Sequence, residues 1–212
     1  MKKLFGLFTA LMLSASAFAI DLKEGVHYEV IGKNATAQPE IKEYFSYYCP
    51  HCLSFEPLAK RLEQGAESKG YKFVKSHVDF VSRTGPDIQF MLAKALVTAD
   101  KLNKPKASSA IFDYIHNKRG VFTSEQDIRN IFLLQGVDAK QFDKAFNSFA
   151  VKNEARKMKK DQTRLSQSGV LNSVPTFIVN NKYKIIAQGF EARTYNELFD
   201  QMEKAAVQLS KK

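Results

Sequence analysis

Residues 43–56 read EYFSYYCPHCLSFE and contain the only two cysteines of the 212-residue chain, Cys49 and Cys52. The aromatic residues before Cys49 favour a β-strand, which we predict over residues 41–47. The apolar residues after Cys52 recur at helical spacing, and Gly65 is the expected end of that helix. Cys49 is therefore expected where a strand gives way to the N-terminus of a helix.

The motif Cys49-Pro50-His51-Cys52 predicts redox chemistry. Side chains three residues apart face the same side of a helix, so the two thiols can close a small disulfide across its first turn. At a helix N-terminus, unpaired backbone N–H groups and the helix dipole favour the Cys49 thiolate. Pro50 suits the first helical position, because its missing N–H would be unpaired there in any case.

Stabilisation of the Cys49 thiolate can be large enough to make the protein an oxidant of other thiols. Once the pKa of the nucleophilic thiol lies below ambient pH, each further unit stabilises the dithiol by roughly 1.4 kcal/mol, or about 30 mV. A shift of about three units would move the reduction potential by about 90 mV toward the oxidising end of the scale. A protonated His51 near the Cys49 sulfur would act in the same direction.

Other uses of the two cysteines are less favoured. A structural disulfide that closes so short a loop restricts the unfolded chain little. Zinc and c-type haem are disfavoured, since there is no second Cys-x-x-Cys pair and Leu53 follows Cys52 directly. The histidines show no ligand spacing; they are His27, His51, His77 and His116. A soft Cu(I) site formed by Cys49, Cys52 and His51 remains the main non-enzymatic alternative.

The N-terminus has the pattern of an export signal. Lys2 and Lys3 precede an apolar stretch at residues 4–13, and small residues form an A-x-A cleavage site at residues 17–19. We therefore predict a signal peptide at residues 1–19, cleaved after Ala19, and a soluble mature protein in the periplasm. The apolar stretch is shorter than the roughly 18 residues that a membrane span requires.

The chain is basic. It has 32 basic and 22 acidic residues, and without Lys2 and Lys3 the basic residues number 30, for a net charge of +8. A solvated basic surface is the simplest explanation, and nucleic acid is not an expected partner, given export and the absence of a recognition motif. We expect a monomer that uses no metal or cofactor other than a redox-active Cys49–Cys52 disulfide.

The remaining periodicity predicts an α/β fold. Further strands are expected at residues 26–30, 71–80, 174–179 and 183–186, and Thr194 is expected to cap a last helix. Residues 86–168 have helical spacing, and Asp138 opens the longest helical segment, which we expect to continue through Phe149.

This order of elements indicates a thioredoxin-like fold with an inserted all-helical domain. After the signal peptide, residues 20–80 form the first part of the thioredoxin-like domain. Residues 81–162 form the insertion, and residues 163–212 form the second part.

Glu43 shares a predicted strand face with apolar residues. A carboxylate there is costly unless it is paired or protonated. Lys75, on the strand expected at residues 71–80, is its natural partner if the two strands are adjacent. The alternative is an ordinary strand-end carboxylate with a lysine that extends to solvent.

Several segments together resemble the periplasmic thiol:disulfide oxidoreductases of the DsbA type. They are residues 43–52 with Phe55-Glu56, residues 77–80, residues 146–149, and Val174-Pro175 before the hairpin at residues 179–183. They span essentially the whole mature chain in order. Two departures from the family pattern are Val81–Gly85, where a Gly-Gly step is common, and Ser173, where glycine is usual.

The resemblance implies roles for individual residues. Cys49 would be the exposed nucleophile, Cys52 the buried resolving thiol, and Pro175 a cis proline packed against the disulfide. Val174 and Pro175 would offer backbone to an extended substrate segment, as in β-augmentation. Glu43, Glu56 and Lys75 match the family's buried charged groups near the second cysteine.

The resemblance also implies an activity and its partners. The disulfide would be donated to reduced, unfolded exported proteins, and a quinone-linked inner-membrane partner of the DsbB type would regenerate it. A reductase or isomerase is the alternative within the fold, although the dimerisation domain usual in isomerases is not visible. A peptide-binding chaperone is a further alternative outside redox catalysis.

Overall fold

The structure, a computed structural model, describes residues 20–212, and the predicted signal peptide lies outside them. In this part of the chain the strands are β1 (Tyr28–Val30), β2 (Glu40–Phe45), β3 (Lys72–His77), β4 (Thr176–Val179) and β5 (Tyr183–Ile185). The helices are α1 (Pro50–Lys69), α2 (Pro86–Lys101), α3 (Pro105–His116), α4 (Glu125–Leu134), α5 (Ala139–Phe146), α6 (Phe149–Gln167) and α7 (Tyr195–Ser210), with a 3-10 turn at Ala187–Gly189.

The strands form one mixed sheet in the order β1-β5-β4-β2-β3. The inner strand β2 runs parallel to the edge strand β3 and antiparallel to the central strand β4. Strand β1 occupies one edge and pairs antiparallel with β5, as expected for the short run at residues 26–30. In the parallel pair Glu43 lies opposite Lys75, so the condition for their pairing, adjacent strands, is met.

Alternation along β2 directs its side chains to two different cores. Ile41 packs with residues of α1 and α7, including Leu58 and Met202. Tyr44, on the other face, packs with Leu165 of α6 and Ile178 of β4. Helices α1 and α7 therefore cover one face of the sheet, and α6 covers part of the other.

The helices between β3 and β4 build a third core that is continuous with the redox motif. Phe112, Phe132 and Phe146 belong to the same buried cluster as Cys49 and Cys52. The thioredoxin-like fold with a helical insertion is thus confirmed. The predicted boundary at residue 162 falls inside α6, which continues to Gln167, and the division into domains stays a prediction.

Two predicted helix boundaries are wrong. Helix α1 passes through Gly65 and ends at Lys69, where Gly70, at φ 75°, adopts the left-handed conformation of a helix C-terminus. The segment opened by Asp138 is not one long helix, because α5 ends at Phe146 and Ser148 caps a new helix by accepting a hydrogen bond from the Val151 N–H.

Candidate active site

Cys49 is the N-cap residue of α1. Its backbone is extended, with φ −93° and ψ 113°, and its Sγ accepts a hydrogen bond from the Cys52 N–H at 3.1 Å. Pro50 occupies the first turn, as predicted. The two cysteines are free thiols in this structure. The Cys49 sulfur therefore receives an N–H group that the helix itself leaves unpaired.

The two thiols differ in their pKa. The pKa of Cys49 is lowered from 9.0 to about 7, mainly because the Cys52 thiol donates a hydrogen bond to it. Burial opposes this effect, and the backbone N–H groups of Cys52 and His51 support it. Burial raises the pKa of Cys52 well above its usual value, and the proximity of Cys49 raises it further. The Cys49 thiolate is thus the favoured anion of the pair.

The exposure of Cys49 differs from the expectation. The resemblance implies an exposed nucleophile, yet only 4% of Cys49 is accessible, against 0% of Cys52. The loop before β4 lies over the sulfur: the Cys49 thiol lies 3.5 Å from the Val174 carbonyl oxygen, to which it donates a hydrogen bond. The Val174–Pro175 peptide bond is cis. Sequence spacing cannot predict this coverage, because the two segments are 125 residues apart.

His51 is exposed on the first turn of α1. Its backbone N–H contributes to the lowered pKa of Cys49. The expected approach of its imidazole to the sulfur stays a prediction.

A buried charged cluster lies beside the motif on β2, β3 and α1. Lys75 Nζ is 3.4 Å from Glu43 Oε2 and also forms an ion pair with Glu56. Glu43 is 0% exposed, and burial raises its pKa to about 7 although Lys75 acts in the opposite direction. Burial acts to lower the pKa of Lys75, but the two carboxylates outweigh it and the pKa is raised. Glu43 also raises the pKa of Cys52, which links this cluster to the buried thiol.

The helical insertion holds the turn that precedes Cys49, a feature that the sequence did not indicate. His116 Nε2 lies 2.8 Å from the Tyr47 carbonyl oxygen. The hydroxyl of Tyr48 accepts a hydrogen bond from the Phe122 N–H at 3.4 Å. Ser46 Oγ donates to the Val81 carbonyl oxygen at 2.7 Å. These contacts fix the loop from which Cys49 enters the helix.

In residues 20–212 no group of three or more His, Cys, Asp or Glu side chains is placed to hold a metal ion. No helix in the same range is both long and apolar enough to cross a bilayer.

Comparison with known proteins agrees with this geometry. The model of the DSBA-like thioredoxin domain family matches residues 40–203. The "Thiol:disulfide interchange protein DsbA" of Haemophilus influenzae is 33% identical over 96% of this chain and 96% of its own. The protein of the same name from Pectobacterium carotovorum is 34% identical over 90% of this chain and 89% of its own.

Solved structures agree as well. The disulfide oxidoreductase DsbA of Proteus mirabilis superposes with a TM-score of 0.77 at 29% identity, over 91% of this chain and 98% of that one. A cysteine-to-serine variant of the same protein, solved with a non-covalently bound peptide PWATCDS, gives a TM-score of 0.78 at 28% identity, over 91% of this chain and 100% of that one.

The paired thiols at the start of α1, on a thioredoxin-like sheet with a helical insertion, define a protein disulfide oxidoreductase. The chain belongs to the DSBA-like thioredoxin domain family.

Proposed function

We propose that the oxidised protein donates its Cys49–Cys52 disulfide to reduced, unfolded proteins newly exported to the periplasm. The observation that carries this proposal is the asymmetry of the two thiols: the pKa of Cys49 is lowered to about 7, while that of Cys52 is raised. A stabilised Cys49 thiolate makes the dithiol form stable, and it makes Cys49 a good leaving group when the substrate is released.

The exchange proceeds in two steps. A substrate thiolate attacks Cys49 Sγ, the Cys49–Cys52 bond breaks, and Cys52 leaves as a thiolate that takes up a proton. A second substrate thiolate then attacks the substrate sulfur of the mixed disulfide and releases the Cys49 thiolate. The substrate loses two electrons and gains a disulfide, and the enzyme gains both electrons as a dithiol.

The buried charged cluster contains a group that can supply the proton taken up by Cys52. A thiolate in an enclosed site is unstable, which is why the pKa of Cys52 is raised. Glu43, with its pKa raised to about 7, holds a proton for part of the time near neutral pH. We assign Glu43 the role of a proton reservoir for Cys52, and Lys75 with Glu56 the role of setting the charge of Glu43.

The Val174–Pro175 segment is the proposed contact for substrate backbone. The Val174 carbonyl oxygen already lies 3.5 Å from the Cys49 sulfur, so a peptide that pairs with this segment brings its cysteine to the reactive atom. The relative from Proteus mirabilis that was solved with a bound peptide supports such recognition. Because only 4% of Cys49 is accessible, groups around the sulfur must shift locally for a substrate cysteine to reach it while the substrate pairs with this segment.

The cycle requires reoxidation, for which we propose a DsbB-type quinone-linked partner in the inner membrane. The sequence pattern of residues 1–19 and the relatives named DsbA support a periplasmic location. We propose in addition that the protein acts as a monomer. A reductase or isomerase in the same fold is the alternative, and a Cu(I) carrier is the alternative outside enzymes.

Oxidation of a reduced two-cysteine peptide tests the proposal. Catalytic amounts of protein with oxidised glutathione should form the peptide disulfide much faster than oxidised glutathione alone. Cys49→Ser should abolish this acceleration, and Ser54→Ala, a change of an exposed residue on the same helix, should not. Acceleration that survives in Cys49→Ser would refute the mechanism. Tight stoichiometric Cu(I) binding by a protein that oxidises no peptide would favour the carrier.

A further inference from the structure

Helix α6 carries an unusually high positive charge that has no role in the redox site. Its sequence has six basic and two acidic residues, a net charge of +4, which is half of the +8 carried by residues 20–212. Each of the other helices in this range has a net charge between −2 and +1. The basic residues are Lys152, Arg156, Lys157, Lys159, Lys160 and Arg164, and the acidic residues are Glu154 and Asp161.

This charge lies on one side of the helix. At about 100° per residue, all six basic residues fall within about 80° of the direction of Phe149. Lys159, at one margin, forms an ion pair with Asp79 in the body of the protein. The buried residues Val151, Ala155 and Leu165 lie on the opposite side. We call Phe149 and the other five basic residues the outer face of α6; these five are Lys152, Arg156, Lys157, Lys160 and Arg164.

Phe149 is the unusual member of the outer face. It is the first residue of α6 and 77% exposed, so a large aromatic ring projects from a basic surface. Within the described residues, Lys152, Arg156 and Lys160 have no ion-pair partner, whereas Lys157 pairs with Glu154 at 3.0 Å and Arg164 pairs with Asp161 at 2.6 Å. Like charges four residues apart disfavour a helix, so this row of cations does not stabilise α6.

We propose that the outer face of α6 docks reversibly on a bilayer surface that contains anionic phospholipids. Nineteen residues of helix span roughly 27 Å, long enough to lie along such a surface. Lysine and arginine bind lipid phosphates, while an exposed aromatic ring enters the boundary between headgroups and acyl chains.

A lipid surface fits this face better than an acidic protein does. An acidic protein would have to present a shaped apolar pocket for Phe149 as well as carboxylates for the basic residues. A bilayer accepts the ring without shape complementarity, and its charge is spread along the length of the helix. An open depression on this face is lined by Lys157, Lys160 and Arg164 together with Asp161, so its net charge is positive.

The expected size of the effect follows from the charges. Each Lys or Arg near an anionic membrane strengthens partitioning roughly fivefold, so removing three should weaken it about 100-fold. Burying part of a phenylalanine ring contributes about a further tenfold. Salt at about 0.5 M should release the protein, because the Debye length then shrinks to a few ångströms.

Vesicle sedimentation with the purified, reduced protein tests the proposal. Wild type should bind vesicles of phosphatidylcholine with about one third phosphatidylglycerol, and not vesicles of phosphatidylcholine alone. The triple variant Lys152→Gln/Arg156→Gln/Lys160→Gln should bind about 100-fold more weakly, and Phe149→Ser about tenfold more weakly. Circular dichroism and thermal unfolding check that both variants are folded.

The matched control removes the same charge from the other side of the sheet. Lys60 lies on α1, Lys204 lies within α7 and Lys211 caps the end of α7, and all three are exposed. The variant Lys60→Gln/Lys204→Gln/Lys211→Gln should lose no more than a few-fold in vesicle binding. The proposal is refuted if wild type does not bind anionic vesicles or if the control loses as much as the α6 variant. It is also refuted if polyglutamate competes fully and Phe149→Ser has no effect, the result expected for an acidic protein partner.

Discussion

At the scale of single residues, reactivity follows from the difference between two thiols that share one helical turn. The Cys49 sulfur accepts a hydrogen bond from the Cys52 N–H, and the Cys52 thiol and the His51 N–H also lower its pKa, while Cys52 has no access to solvent. Only one of the two sulfurs is therefore expected to ionise near neutral pH.

Alkylation measures this difference directly. In the reduced protein, the rate of iodoacetamide reaction at Cys49 should rise with an inflection near pH 7, well below the roughly 8.5 of a free thiol. Cys52→Ala removes the thiol that donates to Cys49, so the inflection for Cys49 alkylation in this variant should move to higher pH. A wild-type inflection at the free-thiol value would contradict the assignment. Mass spectrometry of the modified peptides identifies the cysteine that reacts.

Glu43 provides a second test at the same scale. Its pKa rises from 4.5 to about 7 on folding, because burial disfavours the carboxylate more than Lys75 favours it. The folded protein thus holds this proton more tightly than the unfolded chain does. The stability that this provides is complete below pH 4.5 and is lost as the pH rises through 7.

Glu43→Gln should therefore gain stability relative to wild type as the pH rises. The free energy of unfolding of Glu43→Gln, relative to that of wild type, should increase by about 3 kcal/mol from about pH 4.5 to about pH 7.5, measured by urea unfolding of the reduced proteins. Glu63→Gln, which changes an exposed carboxylate of α1, serves as the control and should follow wild type. A constant difference between Glu43→Gln and wild type across this range would mean that Glu43 does not carry the shifted proton.

Single residues also show how far the sequence alone can be used. The motif predicted the position of both cysteines at the start of a helix. Alternation placed Glu43 on an apolar face and named Lys75 as its partner only if the two strands were adjacent, which the structure shows them to be. The resemblance implied that Pro175 packs against the disulfide, but the close coverage of Cys49 by the Val174 carbonyl could not be predicted from spacing, because a backbone contact between distant segments has no residue signature. The same holds for His116, whose contact with Tyr47 joins segments 69 residues apart.

At the scale of elements, polar contacts join α6 to the sheet beside the apolar packing of Leu165. Tyr44, which is 0% exposed on β2, donates its hydroxyl hydrogen bond to Asp161 of α6. Lys42 Nζ lies 3.7 Å from the same carboxylate. Asp161 is partly buried, and a hydrogen bond from a buried hydroxyl to such a charged group contributes about 1.5–3 kcal/mol to stability.

A double-mutant cycle tests this contact. Tyr44→Phe should destabilise the protein by about 2 kcal/mol, and its coupling energy with Asp161→Asn should be about 1–2 kcal/mol in urea unfolding. Arg164→Gln removes an exposed partner of Asp161 and should cost less than about 0.5 kcal/mol. Strict additivity of the Tyr44 and Asp161 changes would show that the contact does not form.

The errors of sequence interpretation at this scale have local causes. Glycine disfavours a helix interior by only about 1 kcal/mol, and the packing of neighbouring Leu62 carries α1 past Gly65. The break between α5 and α6 was missed because Phe142, Phe146 and Phe149 keep helical spacing across it. The structure shows that Phe149 is exposed and starts a new helix, so the prediction of one continuous helix from spacing alone was wrong.

At the scale of the whole molecule, the active site lies where the sheet, the redox helix and the helical insertion meet. His77, at the end of β3, occupies this junction: its ring centroid lies 5.3 Å from that of Tyr47 and 5.6 Å from that of Phe45. Burial lowers the pKa of His77 from 6.5 to about 3, with Asp79 acting in the opposite direction. The folded protein therefore holds this imidazole neutral in mild acid.

His77 should make the protein sensitive to acid. Because its pKa is lower in the folded state, its contribution to stability is complete above pH 6.5 and is lost as the pH falls toward 3. Through His77, wild type should lose about 3 kcal/mol of stability between about pH 6.5 and about pH 4, and His77→Phe should not show this loss. His27→Gln is the control for a histidine outside the core. Equal acid sensitivity of His77→Phe and wild type would contradict the burial of a neutral imidazole.

The reduction potential of the Cys49–Cys52 pair tests the central claim most directly. The protein is equilibrated with defined ratios of reduced and oxidised glutathione, and the fraction oxidised is determined by alkylation and mass, since the chain has no tryptophan. A disulfide donor requires a potential more oxidising than about −200 mV. A potential near the roughly −270 mV of thioredoxin-type reductants would contradict the proposal that this protein donates its disulfide to exported proteins.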